Sequence, residues 1–357
     1  MAENKIYKSK ILLESGIIDG YLSVSDGVID YVGTERPKGE VFEITDGIIA
    51  PGFIDIHCHS SLINYAKADP FEVADFHLAH GTTTMLLTYY RDIPHEKLLE
   101  CLENTKIAME KCKNVYGAHL EGPYLNANLG FGKGTNASPD MEKCEEYIRC
   151  GVVRQWTSAP EIDGVPELIK RISECGIVPA IGHSAANYEE VKRAYDSGAR
   201  IATHLFDATR APESAYVGTL ETDFNESCML MDDMFYEVIC DENWIHVRRE
   251  KLALLIKTVG IDRVVAITDM SAACMVGRED DGRDVAIYDG LLRGTKLTMD
   301  KVAKNLYNGG FTLSEIFKMT SLNPARALGI SDRGAVRVGM RADLILIKEN
   351  AEFLKVL

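Results

Sequence analysis

Between positions 53 and 269 the sequence repeats one pattern: a short apolar, β-branched run, then a stretch whose apolar residues recur at helical spacing. Eight such runs can be placed, at 53–57, 84–89, 115–121, 155–159, 177–183, 200–204, 235–241 and 264–269. Helical spacing is plainest at 96–113, 165–175, 189–197 and 248–259. Eight strand–helix units in series predict a (β/α)8 TIM barrel. A doubly wound sheet is the competing α/β layout, but it would normally need fewer strands.

The flanks differ from the middle. Residues 5–49 read as short strands at 10–13, 17–20, 21–24 and 28–32, with Asp26-Gly27 and Asp46-Gly47 as turns. The C-terminal stretch has the same character at 334–336, 338–339 and 342–347. Both chain termini are therefore expected to form one small β-sandwich domain, from residues 1–49 and 334–357, around a barrel at 50–333.

Composition narrows the function classes. A hydrophobic fraction of 46% is ample for a large core. The net charge of −15 argues against nucleic acid or an anionic membrane as partner. No apolar run reaches the roughly 18–20 residues of a membrane span, and residues 1–10 lack the apolar core of a signal peptide. The nine cysteines are scattered and form no CxxC pair, which fits reduced thiols in the cytoplasm better than a disulfide framework.

Metal-binding side chains gather at the ends of the predicted strands: His57 and His59 on the first, Glu121 on the third, His183 on the fifth, His204 on the sixth and Asp269 on the eighth. In a barrel those C-terminal ends converge on one mouth. Strand side chains alternate in direction, so His57 and His59 face the same way and can share a cation. Gly122-Pro123 stops the third strand immediately after Glu121, leaving a carboxylate at the mouth that could bridge two cations. His183 and His204 stand 21 positions apart, one βα repeat. A divalent cation lowers the pKa of bound water towards ~7. Asp269 is then the candidate general base, taking that proton and returning it to a leaving amine.

These motifs resemble the amidohydrolase superfamily and, within it, the N-acetylglucosamine-6-phosphate deacetylase family. The resemblance runs through Pro51-Gly52-Phe53-Ile54-Asp55-Ile56-His57, His119-Leu120-Glu121-Gly122-Pro123-Tyr124-Leu125-Asn126, Ser158-Ala159-Pro160-Glu161, Gly182-His183-Ser184, Thr203-His204-Leu205-Phe206, Thr268-Asp269, Leu297-Thr298-Met299-Asp300 and Ser321-Leu322-Asn323-Pro324-Ala325-Arg326. The segment His119-Leu120-Glu121-Gly122-Pro123, with the following Leu125-Asn126, is the most specific part, because most other amidohydrolases carry a lysine as the bridging ligand.

The resemblance implies hydrolysis of an N-acetyl amino sugar, N-acetylglucosamine-6-phosphate, to glucosamine-6-phosphate and acetate, by a homodimer. Glu121, His183 and His204 would hold the principal metal, His57 and His59 would complete a second position, and Asp269 would be the catalytic acid/base. One or two ions are implied, zinc first, with iron, manganese, cobalt or nickel also compatible. His246 matches a substrate-contacting histidine, Asp207-Ala208 a pair whose amides approach the phosphate, and Asn136 a polar position near the substrate.

Two segments depart from the family. Its Arg-Glu-Pro-Gly segment is replaced at 210–218, with Arg210 nearby but out of register. Its glycine-rich stretch after His59 is replaced by Ser60-Ser61-Leu62-Ile63-Asn64. A deacylase or cyclic-amide hydrolase with a different, unphosphorylated substrate therefore stays open. A non-catalytic scaffold would be expected to have lost ligands, and all six positions are kept.

Overall fold

The computed structural model describes residues 4–59, 69–130, 136–212, 214, 216–271, 283–288 and 291–357. The segment 60–64, singled out above, lies outside the described residues. The chain begins with four strands, β1 (Asn4–Leu13), β2 (Gly16–Ser25), β3 (Val28–Gly33) and β4 (Val41–Pro51). Eight βα units follow: β5 (Phe53–His59) and α1 (Pro70–Ala79), β6 (Thr82–Tyr90) and α2 (His95–Lys111), β7 (Val115–Glu121) and α3 (Met141–Arg149), β8 (Val153–Ser158) and α4 (Val165–Glu174). The second half holds β9 (Val178–Ile181) and α5 (Tyr188–Ser197), β10 (Ile201–Ala202) and α6 (Phe224–Met229), β11 (Phe235–Ile239) and α7 (Arg249–Val259), then β12 (Val264–Ile267). A hairpin of β13 (Val285–Tyr288) and β14 (Leu291–Thr295), three helices α8 (Met299–Asn308), α9 (Leu313–Phe317) and α10 (Asn323–Ala327), and strands β15 (Leu344–Ile347) and β16 (Phe353–Val356) complete the chain.

Strands β5 to β12 lie in sequence order, each parallel to the next. The ring closes where the Asp269 amide donates to the His57 carbonyl (3.0 Å) and the His59 amide to the Met270 carbonyl (2.9 Å). This is the expected (β/α)8 barrel. Its strands are apolar at nearly every position because helices cover one face and the barrel core the other: β6 is buried throughout except at Tyr90. Helix α4 buries Val165, Leu168, Ile169 and Ile172, the i, i+3, i+4, i+7 stripe that turns one helical face to a sheet. The Asn187–Glu190 capping box starts α5, fixing the connection that leaves His183.

Strands β9 and β10 are shorter than the runs at 177–183 and 200–204 suggest. His183 and His204 lie just past them in the left-handed region, at φ +48° and +26°. Gly182 permits this approach: a Cβ there would sit 2.7 Å from the Thr203 Cβ.

The terminal strands form one sheet in the order β16-β15-β4-β1-β2-β3, around Ile11, Leu22, Ile29, Ile49, Val336, Leu344 and Leu346. The stretches at 17–20 and 21–24 merge into β2, and 334–336 forms no strand. Asp46-Gly47 lies inside β4, not in a turn. The β1–β4 register slips between Lys8 and Lys10 there, and Gly47 takes φ +136°, so the glycine serves a bulge. No helix among the described residues is long and apolar enough to cross a membrane.

Candidate metal centre

The alternation of β5 sends His57 and His59 to the barrel mouth and Cys58 to the opposite side, where its Sγ lies 2.9 Å from His77 Nε2. Asp55 braces the strand: it accepts from the Thr268 hydroxyl at 2.6 Å and from the His57 amide at 3.3 Å. His57 is wholly buried, with Nδ1 3.0 Å from a Glu237 carboxylate oxygen. Its Nε2 lies 3.5 Å from Glu121 Oε1 and 3.4 Å from Asp269 Oδ1, and makes no hydrogen bond. His59 Nε2 stands 3.0 Å from Asp269 Oδ1 and 3.3 Å from Glu121 Oε2.

Glu121 ends β7 between two clusters. Its Oε1 lies 2.8 Å from His183 Nε2 and 3.0 Å from His204 Nε2, and those two nitrogens are 3.0 Å apart. Two imidazole nitrogens and a carboxylate oxygen all about 3 Å from one another cannot satisfy each other with protons alone. Their spacing suits donors sharing one cation at about 2.0–2.2 Å. Glu121 Oε2 and His57 Nε2, buried without a hydrogen-bond partner among the described residues, suit a second cation on the His57–His59–Asp269 side. Both trios bring their donor atoms within 4.8 Å of one another. The residues present thus fit one divalent ion, or two with Glu121 between them.

The electrostatics point the same way. Glu121, Asp269 and Glu237 are three buried carboxylates, and each lies against an imidazole. Burial disfavours a charged His57, yet Glu121 and Glu237 outweigh it and hold its pKa well above the usual histidine range. Burial opposes His204 as well, but Glu121 lifts it to about 9. For His183 burial wins and the pKa falls. Burial would raise Glu121 and Asp269, but the surrounding histidines pull both below the ordinary carboxylate value. The pocket demands positive charge on either side of Glu121. Beneath it, His119 is held neutral by burial and bridges the Thr88 and Thr157 hydroxyls at 3.2 and 2.8 Å.

All six strand-end residues therefore meet at one mouth. The five other candidates are more dispersed in their contacts. His246 follows β11, buried, with Nδ1 3.2 Å from Asp241 and Nε2 without a hydrogen-bond partner among the described residues. Ala208 has φ +48°, and the Asp207 amide already donates to the His204 carbonyl at 2.9 Å. Arg210 is exposed, its amide on the Ser184 carbonyl at 3.3 Å. The Asn136 side-chain oxygen accepts from the Ala127 amide at 2.7 Å, so it ties its own loop. Sequence reasoning passed over Glu237 and its partner Gln155 (2.7 Å). The available signal was a lone carboxylate inside the apolar run Phe235-Tyr236-Glu237-Val238-Ile239.

A barrel with this donor set at its mouth has the architecture of the metal-dependent hydrolases. The chain belongs to the amidohydrolase family, whose sequence profile matches residues 48–356. It is 30% identical, over an alignment of 393 positions, to N-acetylglucosamine-6-phosphate deacetylase of Bacillus subtilis (strain 168), covering 99% of this chain and 96% of that one. The crystal structure of N-acetyl-D-glucosamine-6-phosphate deacetylase from Mycobacterium smegmatis superposes with a TM-score of 0.84 at 25% identity, over 99% of this chain and 98% of that one. A mutant of that Mycobacterium smegmatis protein, in complex with N-acetyl-D-glucosamine-6-phosphate, superposes with a TM-score of 0.83 at 25% identity, over 100% and 97%.

Proposed function

We propose that the protein hydrolyses the N-acetyl amide of N-acetylglucosamine-6-phosphate, yielding glucosamine-6-phosphate and acetate. The observation that carries this is the pair of donor trios meeting across Glu121, with Asp269 against His59. The names of the relatives supply the substrate class.

Glu121, His183 and His204 would hold the principal divalent ion, and His57 and His59 with Glu121 a second. Imidazole and carboxylate donors suit zinc, and also iron, manganese, cobalt or nickel. When bound, the ion polarises the amide carbonyl and makes water a nucleophile near neutral pH. Asp269 would take the proton from the attacking water and deliver it to the departing amine nitrogen. Burial opposes ionisation of Asp269, but His59 and His57 outweigh it and keep the carboxylate ionised for the first step. His246, oriented by Asp241, offers Nε2 to the substrate. The Ala208 amide and Arg210, both following β10, would receive the 6-phosphate, with Asp207 beside them and Asn136 shaping the facing loop. Eight described cysteines are unpaired, which supports a reducing, cytoplasmic setting. A homodimer is the assembly we propose, with Tyr216, Val217 and Leu220 exposed on the loop after β10.

Asp207 places an acid where the phosphate would approach, which favours an unphosphorylated N-acyl amino sugar as the second possibility. Acetate release should be measured on N-acetylglucosamine-6-phosphate, its galactosamine epimer and unphosphorylated N-acetylglucosamine, and ring opening on dihydroorotate. Turnover of the 6-phosphate at least 100-fold above the plain sugar is expected. Preference for the plain sugar would transfer the assignment to it, and hydrolysis of dihydroorotate alone would overturn amino-sugar deacetylation.

A further inference from the structure

Glu237 sits in the middle of β11 with no exposed surface. One carboxylate oxygen lies 3.0 Å from His57 Nδ1 and 3.4 Å from the His204 amide, and the other accepts from Gln155 Nε2 at 2.7 Å. No lysine or arginine is among these partners. A buried carboxylate is costly unless a positive charge answers it, and among the described partners His57 is the one that can supply it.

We propose that Glu237 is a positioning residue that enables the His57–His59 position to hold a divalent cation. This inference rests on the metal-site reading given above. An imidazole that donates its Nδ1 proton to a carboxylate is locked in the tautomer whose Nε2 carries the lone pair. His57 Nε2 is the atom that faces Glu121 and Asp269 at 3.5 and 3.4 Å without a hydrogen bond. Glu237 therefore fixes the ring, sets its tautomer and contributes negative charge to that side. The other side lacks this support among the described residues, where Nδ1 of His183 and Nδ1 of His204 are both buried without a hydrogen-bond partner. The two positions should then respond differently to loss of Glu237, with only the His57–His59 one weakened.

Glu237→Gln separates charge from shape. Gln155 Oε1 is buried without a partner, so a rotated Gln155 amide can accept from the new side chain and leave the pocket satisfied. The chelator-stripped full-length protein would be titrated calorimetrically with zinc chloride, and its cobalt(II) absorption spectrum recorded. His57→Asn and His183→Asn assign the two equivalents. In Glu237→Gln the equivalent removed by His57→Asn is expected to weaken about 10- to 100-fold, with its cobalt band altered. The equivalent removed by His183→Asn should keep wild-type affinity, and Glu237→Asp should recover part of the loss. Wild-type affinity and spectrum at both positions in Glu237→Gln would overturn the proposal. Zinc binding unchanged in His57→Asn would instead overturn the underlying assignment of His57 as a ligand.

Discussion

Replacing Gly130 with alanine tests how rigidly the Glu121 cluster is held. Gly130 has φ +75°, and a Cβ on its backbone would lie 2.4 Å from His183 Nδ1, 2.5 Å from its Cε1 and 3.2 Å from the Tyr90 hydroxyl. Non-bonded heavy atoms prefer about 3.5 Å, so something must move by roughly 1 Å. The loop is poorly placed to yield. Arg91 donates to the Asn126 and Leu129 carbonyls at 3.0 and 3.1 Å, and the Asn126 amide donates to the His183 carbonyl at 3.1 Å. The displacement should therefore pass into the His183 ring, whose Nε2 stands 2.8 Å from Glu121.

Two costs add in this variant. Alanine in the left-handed region costs about 1–2 kcal/mol, and overpacking a tight site about 1–3 kcal/mol more. A ligand moved by about 1 Å should lower kcat/KM by roughly 10²-fold. Gly151→Ala is the matched control: φ is +72° and no heavy atom lies within 4 Å of the added Cβ, so only the backbone cost applies. Urea unfolding, metal analysis and acetate release on both variants isolate the overlap as their difference. Equal stability and equal kcat/KM in the two variants would show that Gly130 does not constrain His183.

Three further outcomes are expected. Asp269→Asn should lower kcat by about 10²–10⁴-fold with metal content unchanged by elemental analysis; near wild-type turnover would remove Asp269 from the proton path. Stripping the metal with a chelator should abolish acetate release and lower the unfolding free energy, by about 2.7 kcal/mol relative to protein at a free-ion concentration 100 times Kd, and re-addition of zinc should restore both. Burial lowers the His77 pKa from 6.5 to about 4, so the unfolded chain takes up a proton between those pH values that the native state refuses. Stability is then lost as pH falls through that window, by roughly 3 kcal/mol, and His77→Gln should remove this component from urea-unfolding curves compared at pH 7 and 4.

The barrel was legible because its physics acts locally. A parallel strand buried on both faces must be apolar at nearly every position, and the ligand-bearing positions interrupt those runs at one end. His57, His59, Glu121, His183, His204 and Asp269 could thus be assigned to one mouth without any knowledge of long-range contacts. Where contacts across the chain decide the outcome, the sequence says less. Glu237 meets His57 from 180 positions away, and nothing near either residue announces the pairing. Asp46-Gly47 has turn chemistry, but pairing with β1 and β15 draws it into β4 as a bulge. Asn136 has the polarity of a substrate contact, yet its oxygen holds the Ala127 amide instead.

The residues where local rules fail most clearly are the ones proposed to carry the chemistry. His183, His204 and Asp269 all occupy positive φ, at +48°, +26° and +45°, where glycine or asparagine would be the ordinary choice. Each such conformation costs on the order of 1–3 kcal/mol, and no local gain offsets it. The surrounding barrel does: β9, β10 and β12 are almost wholly buried, and the Asp269 amide is bound to the His57 carbonyl across the seam. Those backbone turns bring side chains from three strands onto Glu121 and His59. A chain selected for stability alone would relax them, whereas a chain that must hold cations needs them fixed. The strain, the unpartnered buried nitrogens and the three carboxylates therefore have one common explanation, a positive charge bound at the mouth.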